Sequence, residues 1–232
     1  MRIFCFALFL GITGILGLDE LCSKNPASVC RNNNLNVTIA KDVEELMELC
    51  PRYIDYVECL GHYDRTCAEG GHGIFFQPHG YKNLHGVLLD LCDSESNIHK
   101  DYAANDECIS KVVDDHYSFY MEEANDTYNA YIEKKETSDK SPFQERSDHE
   151  KAENRECLKT SLAIHWLLKK THDTCSPEAR NVLLKLLHKS DYLRYLCGEY
   201  DILELHNSFT KFVRKTQTKE EREMMRETFH FQ

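Results

Sequence analysis

The sequence predicts an all-α protein, a disulfide-stapled helical bundle of two degenerate helical repeats. Apolar residues recur at helical spacing along most of the chain, prolines and glycines number only five and ten in 232 residues, and there are eleven cysteines. The 41% hydrophobic content is enough for a core, which excludes a disordered or collagen-like chain. The formal net charge of −11 argues against a nucleic acid or an anionic membrane surface as partner.

Residues 1–17 are predicted to be a secretory signal peptide, with Arg2 before an apolar run and Gly17 as a small cleavage-site residue. The run is short for a bilayer span and no second one follows, so we expect a secreted, extracellular protein without a membrane span. Ten cysteines remain after cleavage, an even number that predicts five disulfides in an oxidising compartment. Two glycosylation sequons, at Asn36 and Asn125, agree with secretion.

The helices of the first half follow from periodicity and breakers. A first helix is predicted over 39–50 with Thr38 as its N-cap, and Pro51 suits the first turn of a second helix. Residues 70–80 contain four glycines and Pro78, which predicts a loop. A third helix is predicted over 84–92, and a fourth begins near Asp106 and continues toward Tyr131.

The second half begins after a polar stretch. A fifth helix is predicted to present Cys157, Ile164, Leu168 and Cys175 on one face, and Ser176-Pro177 starts another helix that closes at Cys197. The predicted divisions are a signal peptide (1–17), a first helical repeat with an N-terminal extension (18–132), a polar linker (133–154), a second helical repeat (155–215) and a charged C-terminal tail (216–232).

Cysteine spacing predicts the repeat. Four cysteines follow Cys50 at 9, 17, 42 and 58 residues, and comparable steps of 9, 18, 40 and 56 residues from Cys157 lead to Trp166, Cys175, Cys197 and Val213. The second copy therefore lacks counterparts of Cys59 and Cys108. Because an unpaired thiol is a liability in a secreted protein, joint loss predicts that Cys59 pairs with Cys108.

Helix direction predicts the other disulfides. Antiparallel packing of the second and third helices favours Cys50–Cys92 over Cys67–Cys92, and the same reasoning gives Cys157–Cys197 in the second copy. The first helix, antiparallel to the second, brings Cys30 toward Cys67. Elimination then leaves Cys22 with Cys175.

The pattern VEELMELCPRYIDYVECLGHYDRTC, then GVLLDLC, then HKDYAANDECI, resembles a family of secreted, cysteine-rich helical proteins of arthropods that includes haemolymph-type proteins. Secreted nematode domains of unknown function carry a similar rhythm. The resemblance covers residues 43–109 well and 157–197 more loosely, and it departs at Trp166 and Val213. It implies a helical fold and brings no catalytic or binding residues.

Candidate chemistry is sparse. Among twelve histidines the closest cluster is His72, His79 and His85, with His62 upstream, but their spacing does not place two ligands on one helical face. We therefore predict no metal and no cofactor. No serine nucleophile elbow or phosphate-binding loop occurs, and adjacent acids such as Asp114-Asp115 point in different directions. A non-enzyme is expected, and a hydrolase with an unrecognised site ranks last.

Aromatic residues suggest a binding surface. Four tyrosines share a narrow helical arc and, with a neighbouring phenylalanine, could line a ligand groove or simply pack against a helix: Tyr117, Phe119, Tyr120, Tyr128 and Tyr131. The leading hypothesis is a secreted, non-enzymatic binding protein that carries a small apolar ligand. The alternative is a protein–protein interaction component of a secretion, whether immune, venom-associated or structural. A buried aromatic cavity would favour carriage, and an exposed apolar patch would favour a protein partner.

Overall fold

The structure, a computed structural model, describes residues 22, 24, 26–30, 40–67, 78–137, 146–214 and 217–229. All regular elements in these ranges are helical: α1 Pro26–Cys30, α2 Val43–Thr66, α3 Pro78–Cys92, α4 Asn97–Ala103, α5 Asp106–Glu136, α6 Asp148–Thr174, α7 Pro177–Ser190, α8 Tyr192–Leu196, α9 Glu199–Glu204, a π-helical turn Leu205–Phe209, α10 Thr210–Val213 and α11 Lys219–Thr228. The all-α prediction is confirmed. Within the described ranges, no helix combines the length and apolar content of a membrane span. The predicted signal peptide, Thr38, Asn36 and His72 lie outside them.

Five disulfides pair the ten cysteines after residue 17: Cys22–Cys67, Cys30–Cys59, Cys50–Cys92, Cys108–Cys175 and Cys157–Cys197. The predictions from helix direction are confirmed for Cys50–Cys92 and Cys157–Cys197. The other predicted pairings are wrong, namely Cys59 with Cys108, Cys30 with Cys67 and Cys22 with Cys175.

The register of antiparallel helices explains the wrong pairings. Cys30 follows Cys22 by eight residues, whereas its partner Cys59 precedes Cys67 by eight residues. Segment α1 therefore runs antiparallel to α2. In the second half, α5 runs antiparallel to α6 and Cys108–Cys175 occupies the corresponding end. The bridge without a counterpart there is thus Cys30–Cys59. The joint-loss argument failed because Cys108 was counted with the first half, although it is bonded to the second.

Helix boundaries differ from the prediction at three places. The single helix predicted from Ser176-Pro177 to Cys197 is divided into α7 and α8 by Asp191, whose φ of 54° is left-handed. Helix α2 runs through Pro51 without a break and begins at an Asp42 N-cap, whose Oδ1 accepts from Glu45 N at 2.8 Å. Pro51 is exposed, and the buried face continues on both sides of it at Leu49 and Val57, so packing offsets the lost backbone hydrogen bond. Helix α3 begins at Pro78 instead of near residue 84, which fits the preference of proline for a first helical turn.

The predicted charged tail contains a helix. Residues 219–228 form α11, which begins with a capping box between Thr218 and Glu221. Met225 and Phe229, spaced four residues apart, are 0% and 4% exposed against α6 and its neighbours. Two apolar residues at helical spacing thus dock a segment whose average composition is strongly polar.

The core has two large parts and a smaller one among the described residues. The largest joins α5 and α6 to the C-terminal helices and includes Leu158, Leu162 and Phe209. The second combines α2 and α5 with α7, where Ile109 meets Ala179, so the two halves of the chain share one apolar interior. The third, around Leu60, packs residues of α1 and α3 against α2. The repeat itself stays a prediction.

The antiparallel register predicts where a sixth disulfide can form. His116 lies eight residues after Cys108, and Leu167 lies eight residues before Cys175. The bridge Cys30–Cys59 has the same spacing from the bridge Cys22–Cys67. We expect the double variant His116→Cys/Leu167→Cys to oxidise spontaneously and to gain up to about 3 kcal/mol in free energy of unfolding. Thiol titration and urea denaturation with and without reductant check this. The out-of-register pair His116→Cys/His172→Cys should keep both thiols free; bridging there instead would contradict the register.

Candidate functional site

The structure divides the five aromatic residues of the predicted groove. Tyr128 and Tyr131 are buried in the core between α5, α6 and the C-terminal helices. Tyr120 is half-buried, and its ring lies 6.0 Å from that of Trp166 on α6. Tyr117 and Phe119 are 44% and 59% exposed. One helix therefore presents two of these rings to solvent and commits two others to packing.

The two buried tyrosines belong to what we call the buried polar network. It joins the end of α5, the start of α6 and α9, and comprises Tyr128, Tyr131, Lys135, Arg146, Asn154, Asp201 and Glu204. Asn154, which is 0% exposed, lies at its centre. Its Nδ2 donates to Asp201 Oδ1 at 2.8 Å and to Glu204 Oε2 at 3.3 Å, and its Oδ1 accepts from Tyr128 at 3.3 Å.

Both oxygens of Glu204 are saturated with donors. Tyr131 Oη and Lys135 Nζ lie 2.9 and 2.6 Å from Oε1, and Arg146 Nη2 lies 3.3 Å from Oε2. Arg146 Nη1 also donates to Asp201 Oδ1 at 2.9 Å. Two buried carboxylates thus face two cations, the arrangement that compensates most of the desolvation cost of charge.

Burial keeps both tyrosines protonated. Desolvation, followed by the nearby Glu204 carboxylate, raises the pKa of Tyr128 to about 12. The same two causes, together with the hydrogen bond to Glu204, raise the pKa of Tyr131 further still. Both hydroxyls are therefore donors at neutral pH. The network fastens α9 to α5 and α6 directly before the π-helical turn, a kind of distortion often found at functional sites.

Sequence reasoning missed Asp201, Glu204 and Asn154, although a signal existed. Asp201 and Glu204 are spaced three residues apart, on the same side of the helix as Leu205, which is fully buried. Two acids on an apolar face require buried partners. Arg146 lies within the predicted polar linker, and only the structure shows that it supplies one.

The exposed face of α5 carries what we call the acidic stripe: Asp115, Phe119, Glu122 and Asp126. Their spacings of four, three and four residues place them on one side of the helix, and all four are exposed. Phe119 thus stands among carboxylates one turn away on each side. Tyr117 projects from another side of α5, close enough to Tyr192 of α8 to affect its hydroxyl, whose pKa is raised first by burial and then by Tyr117 and Glu156.

His165 of α6 is the most buried histidine among the described residues, at 1% exposure. Its Nδ1 lies 3.3 Å from Thr228 Oγ1 at the end of α11. Desolvation, and then the positive charge of Arg180, lower its pKa to about 4. The imidazole of His165 is therefore neutral at physiological pH.

No cluster of potential metal ligands occurs within the described ranges. Of the histidines considered from the sequence, His62 is exposed, and His85 Nε2 lies 3.3 Å from Glu58 Oε1. His72 and the side chain of His79 lie outside the described part. Asn125 lies within α5, where its Oδ1 accepts from Arg155 Nε at 3.2 Å and from Nη2 at 2.5 Å.

The buried polar network makes a stability prediction. Glu204→Gln leaves Lys135 and Arg146 facing a neutral amide in a mostly buried site, so the free energy of unfolding should fall by about 3 kcal/mol. Urea denaturation followed by circular dichroism measures the change. The matched control, Glu223→Gln, breaks an exposed pair with Arg226 and should cost less than about 1 kcal/mol. Equal losses for both variants would show that the network contributes nothing special.

His165 makes a pH prediction. Its pKa in the fold, about 4, lies below the ordinary value of 6.5, so the unfolded chain binds a proton between these values while the folded chain does not. Stability from this group is therefore complete above pH 6.5, and about 3 kcal/mol is lost as pH falls to 4. Between pH 7 and pH 4, the free energy of unfolding of His165→Phe should therefore fall by about 3 kcal/mol less than that of the unsubstituted protein. His149→Phe, at an exposed site, should not alter the slope.

Comparisons with known protein families, curated proteins and solved structures found no match to this chain. The resemblance to secreted arthropod and nematode proteins stays a prediction. The acidic stripe, the buried polar network and the five disulfides therefore rest on this chain's own geometry, and function has to be argued from them.

Proposed function

We propose that this chain is a secreted, non-enzymatic binding protein whose acidic stripe docks a basic segment of a partner protein. Five disulfides suit an oxidising, extracellular compartment, as do the N-terminal apolar run and the sequons at Asn36 and Asn125. The resemblance to haemolymph-type arthropod proteins points the same way. The proposal selects the protein–protein form of the binding hypothesis, as a component of an immune, venom-associated or structural secretion.

The exposed ring of Phe119 is the observation on which the proposal depends. A phenylalanine that is 59% exposed contributes little to the fold, and here Asp115 and Glu122 flank it. A guanidinium can stack on such a ring while it pairs with the neighbouring carboxylates, and each of these contacts strengthens the other when water is excluded. Arginine is the side chain that satisfies both requirements.

Charge around the stripe favours a basic partner. Helix α5 contains six acids and no lysine or arginine over residues 112–133. In the sequence Lys111 precedes this stretch, and Arg155 of α6 is bound to Asn125 on its flank. The stripe therefore keeps a negative potential, which would speed encounter with a basic segment and select against acidic ones.

Carriage of a small apolar ligand stands second. A groove lined by all five aromatics would require Tyr128 and Tyr131 to turn toward the ligand, yet their hydroxyls bond Asn154 and Glu204 in the core. Breaking these bonds would leave buried polar groups unpaired, at about 1–3 kcal/mol each. Only Tyr117, Phe119 and the edge of Tyr120 stay accessible without that cost.

A designed peptide pair tests the proposal. One fluorescent helical peptide carries arginine at positions i, i+4, i+7 and i+11, and its partner carries glutamate at the same positions. We expect the arginine peptide alone to bind, with an affinity that falls as salt rises, since exposed charges are screened. Phe119→Ala should weaken binding about tenfold, the loss of roughly one cation–π contact. Fluorescence anisotropy measures both effects.

Tyr200→Ala is the matched control, because it removes a ring that is 80% exposed on α9, away from the stripe. It should leave the affinity unchanged. Equal binding of the two peptides, or an equal loss in Tyr200→Ala, would refute docking at the stripe. Native mass spectrometry of protein from its own source distinguishes carriage of a small apolar ligand from docking of a partner protein, since a retained small molecule would favour carriage.

A further inference from the structure

Two buried polar side chains meet beneath the end of α11. His165 of α6 and Arg180 of α7 are 1% and 5% exposed. Consecutive residues of α11 contact them: Thr228 contacts His165, and Glu227 Oε2 lies 2.8 Å from Arg180 Nη2. The two side chains are near enough for the charge of Arg180 to act on His165. Residues of three helices, α6, α7 and α11, therefore meet around these two buried side chains.

The hydroxyl of Thr228 determines the tautomer of His165. Thr228 Oγ1 donates its single hydrogen to Met224 O at 2.9 Å, so toward His165 it can only accept. The hydrogen must therefore be on Nδ1 of the imidazole. Since burial and Arg180 keep the ring neutral, Nε2 carries a lone pair. This atom is buried and has no hydrogen-bond partner among the described residues.

Arg180 has the complementary deficit. Its guanidinium is charged at any ordinary pH, and Glu227 engages only one end of it. The Nε–H group is buried and lacks a hydrogen-bond acceptor within the described part of the chain, and Nη2, although it is ion-paired with Glu227, likewise makes no hydrogen bond there. A buried acceptor and a buried donor left unpaired would together cost several kcal/mol, which native interiors avoid by admitting water.

We propose that the junction of α6, α7 and α11 is a binding site for one internal water molecule, which accepts from Arg180 Nε–H and donates to His165 Nε2. The chemistry restricts the small occupants. A fully deprotonated anion could accept from Arg180 but has no hydrogen to donate to Nε2, and a cation would be repelled by the guanidinium. A neutral molecule with one acceptor and one O–H donor fits both atoms, and water is the smallest.

Solution NMR on the full, ¹⁵N-labelled chain tests the site. Long-range proton–nitrogen correlation should show His165 with its hydrogen on Nδ1. The Nε–H of Arg180 should exchange slowly and show cross-relaxation to a long-lived water. The exposed Arg194, whose Nε–H should exchange rapidly with bulk water, is the internal reference. A hydrogen on Nε2 of His165, or exchange at Arg180 as fast as at Arg194, would overturn the proposal.

A variant separates the water from mere burial. His165→Phe keeps a ring of similar size but removes the acceptor, so the cross-relaxation between water and Arg180 Nε–H should disappear or weaken severalfold. His149→Phe, on the exposed start of α6, should leave it intact. Persistence of the full signal in His165→Phe would show that the water does not bridge these two residues. Should that variant fail to fold, the spectra of the unsubstituted protein decide.

Discussion

The antiparallel pairing of α5 and α6 is the constraint on which the rest of the structure depends. These are the two longest helices, and they are tied at both ends by different means. Cys108–Cys175 joins the start of α5 to the end of α6, and the buried polar network joins the end of α5 to the start of α6. Between these ties the apolar faces bury Ala124, Leu158 and Leu162. Helices α7 and α11 pack on α6, and α3 packs on α2 and α7.

The helical character of the chain was predictable because it depends on residues close together in the sequence. Apolar spacing, the Ser176 N-cap and the scarcity of breakers all act within a few residues. Disulfide pairing was predictable only where helix direction alone decides it, as for Cys50–Cys92. The partner of Cys108 depends on which helix it faces across the fold, and no spacing along the chain reports that.

The misjudged boundaries have a common physical origin. Pro51 carries a strong local preference for a helix start, yet a continuous buried face overrides it. Residues 219–228 are polar on average, yet the burial of Met225 and Phe229 decides their placement. The polar network was missed for the same reason, because Arg146 and Glu204 meet only after the chain has folded. Average composition describes a segment, whereas one or two buried side chains determine where it docks.

The division of aromatic residues along α5 connects fold to function. Tyr128 and Tyr131 are near the end that the network holds, and their hydroxyls bond polar groups of the interior. Phe119 lies nearer the disulfide-tied end; its ring lies edge-on to that of half-buried Tyr120, with centroids 5.4 Å apart, and it stays 59% exposed. A single helix thus serves as the central support of the core and carries the acidic stripe on its exposed face. Because both its ends are tied, a partner would meet a preformed helix and the entropic cost of ordering it would be small.

The disulfide pattern also determines whether the protein would stay together after a break in the backbone. Among the disulfides of the described residues, three lie wholly before α6, one lies wholly after α5, and only Cys108–Cys175 joins the part up to the end of α5 to the part from α6 onward. Hydrolysis of one peptide bond between α5 and α6 would therefore yield a two-chain protein held by one sulfur–sulfur link and a shared interior. Such a molecule would stay together after cleavage, and a reductant acting on Cys108–Cys175 would remove the covalent attachment that the described disulfides provide between its two chains.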